Sequence, residues 1–72
     1  MILYWWSATW CKPCEKMIPI IDELIKETGW TLEKIDVTTG YIPPEIRSVP
    51  AFKLNGKYIF GATTKEKLKN LL

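Results

Sequence analysis

The chain has no histidine, and its only two cysteines, Cys11 and Cys14, stand within four residues of each other. Lacking histidine, it lacks the commonest acid–base group and metal ligand. Long apolar runs are missing as well. The opening Met1 to Trp6 segment is far shorter than the ~20 residues of a membrane span, and it has neither a basic leader nor a cleavage signature. Charge is nearly balanced, with ten Lys and Arg against eight Asp and Glu for a net +2. That is too little to draw nucleic acid or a membrane surface. The surplus is local, since five lysines and one glutamate follow from Lys53 onward, as on a solvated face. These absences predict a cytoplasmic chain with no nucleic-acid or membrane partner. In that compartment thiols stay reduced, and a lone cysteine pair belongs to chemistry more readily than to architecture. A Cys11–Cys14 bond would close a tiny loop, and the entropic gain from a disulfide grows with loop length.

What is present is core-forming. Of 72 residues, 47% are hydrophobic and four are tryptophans. A chain this short buries only ~60% of the surface its unfolded form exposes, so a dense core is required. No repeat or linker interrupts it, which predicts a single domain over residues 1–72.

Ile2 to Trp6 is continuously apolar, as for a strand covered on both faces. Ser7, Ala8 and Thr9 turn the chain toward Trp10-Cys11-Lys12-Pro13-Cys14. Met17, Ile18, Ile21, Leu24 and Ile25 recur at helical spacing, a buried stripe on a helix from about Cys11 to Thr28. Pro19 removes one hydrogen bond and should kink that helix, and Gly29 is placed as its left-handed cap. Leu32 to Val37 reads as a second strand, parallel to the first through a crossover. Gly40 and Pro43-Pro44 forbid a long helix before Ser48, although Pro44 to Arg47 suits one turn. Ala51 to Leu54 and Tyr58 to Phe60 form a hairpin about Asn55-Gly56. Thr63 and Glu66 stand at capping-box spacing before a last helix whose Leu68, Leu71 and Leu72 face inward. The order β-α-β-β-β-α predicts an α/β fold with helices packed on a four-stranded mixed sheet.

Two cysteines two residues apart at a helix N-terminus suit a redox couple. Unpaired backbone N–H groups and the helix dipole favour the thiolate of Cys11, and the thiolate is the nucleophile. Its pKa is expected below that of a free thiol. Cys14, one turn further in, is shielded but near enough to attack a mixed disulfide on Cys11. Pro13 presets the first helical turn, and Lys12 and Lys16 add positive charge that Glu15 partly opposes. Two other readings stay open at this point. One is zinc, which takes four ligands and would need two chains sharing it. The other is a pair of cysteines without redox work.

Ala8 to Cys14 resembles the active-site signature of the thioredoxin family, with Lys12 where glycine is commoner. Pro19 falls where that family kinks its active-site helix. Ile46 to Pro50 resembles the segment carrying its cis-proline, Gly61 a glycine of its substrate groove, and Lys34-Ile35-Asp36 the strand bearing a lysine behind the active site. The resemblance implies a minimal thioredoxin-like fold and a protein-disulfide reductase without a bound cofactor or metal. In it, Cys11 attacks and Cys14 resolves. Pro50, in cis, and Val49 orient an extended target, and Trp10, Lys12, Pro13, Gly61 and Ala62 form the docking rim. Lys34 tunes the cysteine pKa values. Expected partners are disulfide-containing proteins, with a thioredoxin reductase or glutathione as electron source, and the chain is expected to be a monomer. Three departures accompany the resemblance. The chain starts at the strand before the motif, without the family's N-terminal strand and helix. Trp5 stands where thioredoxins place the buried aspartate that helps deprotonate the second cysteine. The short hairpin from Phe52 to Gly61 is closer to glutaredoxins, although Ala62-Thr63-Thr64 lacks the aspartate with which many of them hold glutathione. The alternatives are therefore a glutaredoxin-type enzyme and a non-catalytic interaction module.

Overall fold

A computed structural model describes all residues, 1–72. Six elements follow the expected order: β1 (Ile2–Ser7), α1 (Lys12–Thr28), β2 (Thr31–Asp36), β3 (Ala51–Leu54), β4 (Lys57–Phe60) and α2 (Lys65–Lys69). The strands form one sheet in the order β2-β1-β3-β4. β1 pairs parallel with β2 and antiparallel with β3, and β3 pairs antiparallel with β4. β1 is thus an inner strand, and the chain must cross through α1 to lay β2 beside it.

The continuous apolar run of β1 is explained by cover on both faces. Leu3 and Trp5 point into the larger core with Met17, Ile21 and Leu24 of α1, Phe52 and Leu54 of β3, and Leu68 of α2. Trp6 points the other way, against Ile46 and Ala51, so the loop between β2 and β3 lids the second face. Trp5 stacks on Phe52, its register partner, with ring centroids 6.1 Å apart. Such offset pairs add about 0.5–1.5 kcal/mol beyond the area they bury.

α1 extends through Pro19 and ends at Gly29, whose φ of 74° lies in the left-handed region and whose N–H donates to Ile25 O. Its buried stripe is Cys14, Met17, Ile21 and Leu24. Ile25 is half-buried, and Ile18, expected inside, is 42% exposed. Successive residues turn about 100° round a helix, so Ile18 falls at the edge of a stripe that Cys14 joins. The irregular stretch makes one turn at Pro44-Glu45, where Ile46 N–H donates to Pro43 O at 3.0 Å. The hairpin turns on Asn55 (φ 53°) and Gly56 (φ 77°), the two left-handed positions a two-residue turn demands.

The last helix departs from expectation at both ends. Its cap is Thr64, whose hydroxyl accepts from Lys67 N–H at 3.2 Å. Thr63 Oγ1 is instead buried without a partner, so the capping box with Glu66 does not form. Leu68 is buried and Leu71 half-buried, but Leu72 is 58% exposed, because helical geometry stops at Lys69. No helix is long and apolar enough to cross a membrane.

α2 is fastened to α1 by charge. Lys65 Nζ lies 2.6 Å from Glu23 Oε1 and also contacts Glu27, while Lys69 reaches Glu27 at 3.5 Å. The Lys65 hydrogen bond, then its charge and that of Lys69, hold Glu27 below the usual carboxylate range. The Glu23 and Glu27 hydrogen bonds raise Lys65 above the usual amine range. A lowered carboxylate pKa gives stability that is present above the unfolded value, ~4.3 for Glu, and lost as pH falls through the folded value. A raised lysine gives stability that is present below its unfolded ~10.4 and lost as pH rises through the folded value. Lys65→Met is therefore expected to flatten both limbs of a stability–pH curve measured by urea unfolding. Limbs as steep as in the parent would show that the cluster is idle.

Candidate active site

The site is assembled by the junction of β1 and α1. β1 ends at Ser7 beside the C-terminal end of β2, its Cα partner there being Asp36. Ala8 to Trp10 make the turn, closed by Cys11 N–H donating to Ala8 O at 3.2 Å. Cys11 then serves as the N-cap of α1 in extended conformation (φ −91°, ψ 107°), and its Sγ accepts from Cys14 N–H at 3.2 Å. One orphan N–H of the helix start is thus directed at the sulfur, the arrangement that favours a thiolate. Cys11 and Cys14 are joined as a disulfide with Cα atoms 5.2 Å apart. Both are buried, at 4% and 3% exposure, so Cys11 is as enclosed as Cys14 in this oxidised pair.

Two concavities open at the motif, one reaching Cys14 and the other reaching Trp10. On one side, a cavity of about 250 Å³ is lined by Trp5, Ser7, Ala8, Thr9, Cys14, Glu15, Ile18, Lys34 and Asp36. Lys34, expected behind the site, has its Nζ 5.0 Å from the centre of a Trp5 ring. With an indole at position 5, the ammonium meets the negative face of a π-system. Asp36 is fixed by Thr38, whose hydroxyl and N–H donate to its Oδ1 at 2.6 and 2.8 Å. Those bonds, with a smaller contribution from the Lys34 charge, hold its carboxyl below the usual range.

On the other side, a groove of about 170 Å³ is lined by Trp10, Val37, Ile42, Ile46, Arg47, Ser48 and Val49. Trp10 is 67% exposed there. The Val49–Pro50 peptide is cis, and Pro50 is fully buried. Neither the N–H nor the C=O of Val49 has a hydrogen-bond partner within the protein. Gly61, at φ 87°, donates its N–H to Pro50 O at 2.7 Å, which ties the end of β4 to the proline loop.

Of the residues singled out in the sequence, Cys14 and Lys34 meet at the cavity, and Trp10 and Val49 at the groove. Cys11, Lys12, Pro13, Pro50, Gly61 and Ala62 line neither. Lys12 is exposed and sits 3.9 Å from Glu15. Asp36 and Ile18 also line the cavity, and Ile42 and Arg47 the groove, although the sequence does not mark any of the four as a site residue. Asp36 follows Lys34 by two, the period that puts both on one face of a strand, and Ile18 follows Cys14 by four, a neighbour on a helix. Ile42 and Arg47 lie in irregular chain and carry no comparable signal.

The profile of the thioredoxin family, described as Thioredoxin, matches residues 1–72. Thioredoxin-3 of Dictyostelium discoideum is 42% identical over 64 residues, covering 83% of this chain and 59% of its own length. The chloroplastic M-type thioredoxin of Spinacia oleracea is 36% identical over 78 residues, covering 94% of this chain and 42% of its own. The chain therefore spans about half the length of these curated relatives. Among solved structures, a mutant thioredoxin from Halobacterium salinarum superposes with a TM-score of 0.82 at 27% identity, over 97% of this chain and 69% of that one.

Proposed function

The chain belongs to the thioredoxin family, and from that premise we propose that it is a thiol–disulfide oxidoreductase reducing disulfides in other proteins. The observation that carries this reading is the cysteine pair closed across the N-terminus of α1, with the helix's N–H directed at Cys11 Sγ. In the reduced form, the Cys11 thiolate attacks a target disulfide. One target sulfur leaves as a thiol, and the other stays bonded to Cys11. The Cys14 thiolate then attacks Cys11 Sγ, forming the intramolecular disulfide and releasing the second target thiol. Two electrons pass from the cysteine pair to the target, so no bound cofactor takes part.

The unpaired Val49 N–H and C=O support a docking mode in which an extended target segment adds to the proline loop by backbone hydrogen bonds. Trp10 and Ile42 offer it apolar cover. Pro50 holds the loop, Gly61 anchors it from β4, and Lys12, Pro13 and Ala62 complete the rim. Lys34 supplies positive charge beside Cys14. The chain acts as a monomer in the cytoplasm, where a reducing pair would be kept in its dithiol state.

Oxidised protein supplied in turn with glutathione alone, and with NADPH and a flavoprotein thioredoxin reductase, tests the electron source. Reduction of the Cys11–Cys14 bond by the reductase is the expected result, and reduction by glutathione alone would move the chain to the glutaredoxin type. Equilibration with a glutathione buffer should give a potential nearer ~−270 mV than ~−120 mV. A value above about −180 mV, the level of protein disulfide isomerase, would make it an oxidant and reverse the proposed direction.

A further inference from the structure

Cys14 is only 3% exposed, yet its sulfur must lose a proton before it can attack, since the thiolate is the nucleophile. With no histidine in the chain, the acceptor has to come from other groups. The cavity that Cys14 lines brings only three ionisable side chains to it: Glu15 from α1, and Lys34 and Asp36 from β2. β1 contributes Trp5 and Ser7, which do not titrate near neutral pH. Lys34 is a cation and has no lone pair to offer at neutral pH. Glu15 has a side chain 58% exposed and stands beside Lys12 on the outside of the first turn.

Resting on the reductase reading above, we infer that Asp36 is the proton acceptor for Cys14, reached through water held in this cavity. Both Thr38 bonds fall on Oδ1, which leaves Oδ2 without a protein donor and open to a water. A volume of about 250 Å³ is room for several waters at ~30 Å³ each. The walls give them partners in the Ser7 hydroxyl and the Lys34 ammonium. The Thr38 bonds hold the Asp36 carboxyl below its usual range, so an unprotonated carboxylate stands at the cavity; the same bonds make it a weak base, and it passes the proton straight on to solvent. In the resolving step the Cys14 proton moves by water to the Asp36 carboxylate. The freed electron pair forms the Cys14–Cys11 bond, the bond from Cys11 to the target sulfur breaks, and the departing thiolate takes a proton from solvent. Lys34 favours the transient Cys14 thiolate, while Glu15 opposes it.

Stopped-flow reaction of the reduced chain with a chromogenic aromatic disulfide reads two phases, thiol release on Cys11 attack and a second release on resolution by Cys14. Asp36→Asn keeps the carbonyl that accepts from Thr38 and should slow the second phase at least about tenfold near pH 7, short of the ~10²–10⁴-fold of a well-matched general base because Asp36 is a weak one. The first phase should be unchanged in Asp36→Asn, the gap should close as pH rises and hydroxide takes the proton directly, and Glu15→Gln, which removes a charge that opposes the thiolates, should slow neither phase. A second phase in Asp36→Asn that is unchanged, or faster because only a repelling charge was removed, overturns the assignment. So does slowing by Glu15→Gln. A wild-type chain lacking the first phase would instead refute the reductase reading, so the two failures are distinguishable.

Discussion

Cys11→Ser is expected to bring disulfide reduction down to the uncatalysed background, whereas Cys14→Ser is expected to stall after one covalent event. The asymmetry follows from position. Cys11 is the N-cap of α1 and its sulfur receives the Cys14 N–H, so negative charge on Cys11 is stabilised by the helix start. Serine at position 11 keeps the cap, since its oxygen accepts as well, but a hydroxyl does not exchange with disulfides. Fold and stability should therefore be retained while turnover vanishes. Serine at position 14 leaves the nucleophile and removes its resolver, so a mixed disulfide with the target accumulates one-to-one. Turnover of a protein disulfide under NADPH and reductase measures the first variant, and intact mass under non-reducing conditions measures the second. Activity persisting in Cys11→Ser would turn the reading toward an interaction module that uses the fold without its chemistry. An adduct on Cys14 in the Cys11→Ser chain would exchange the roles of the two cysteines.

Phe52→Ala carries the second large effect, on stability. Phe52 is fully buried in β3, stacks on Trp5, and joins the core that α1 and α2 share. Truncating a buried phenylalanine costs about 3–5 kcal/mol through lost transfer energy and an unfilled cavity. A domain of 72 residues has about 4–11 kcal/mol in all at ~0.05–0.15 kcal/mol per residue. The variant thus stands at or near the folding limit, and it should be largely unfolded at 37 °C or unfold at a much lower urea midpoint. Phe60→Ala is the control. Phe60 lies on the edge strand β4, 50% exposed, with only its stack on Tyr58 to lose. Its midpoint should move by a small fraction of the Phe52 shift, and equal shifts for the two would show that the core is not where the burial pattern puts it.

Legibility followed the physics of each segment. β1 announced itself because an inner strand with two covered faces must be apolar at every position, and Ile2 to Trp6 is. α1 is readable from its periodicity, but its buried stripe runs through Cys14 and leaves Ile18 exposed, because a cysteine packs as a small apolar side chain that hydrophobic spacing alone does not reveal. The Asn55-Gly56 turn was plain because few residue pairs adopt two successive left-handed conformations. At the end of the chain, two adjacent threonines offered rival caps. Thr63 had the matching Glu66, but the exit from β4 buries its hydroxyl and leaves Thr64 at the helix start. Local sequence has no means of weighing that.

At the site, the sequence by itself determined the reactive pair. Two cysteines at this spacing, before an amphipathic helix and in a chain without histidine, leave little else for the chemistry to rest on. It also determined that an indole, not a carboxylate, stands at position 5. Only the tertiary structure decided what surrounds Cys14. The parallel register of β2 against β1, made by the α1 crossover, sets Lys34 beside Trp5 and Asp36 beside Ser7. A shift of one residue in that register would turn both side chains to the other face of the sheet. The cavity's charged wall is therefore a consequence of strand pairing between segments some thirty positions apart, a non-local choice that no motif around Cys11 and Cys14 encodes.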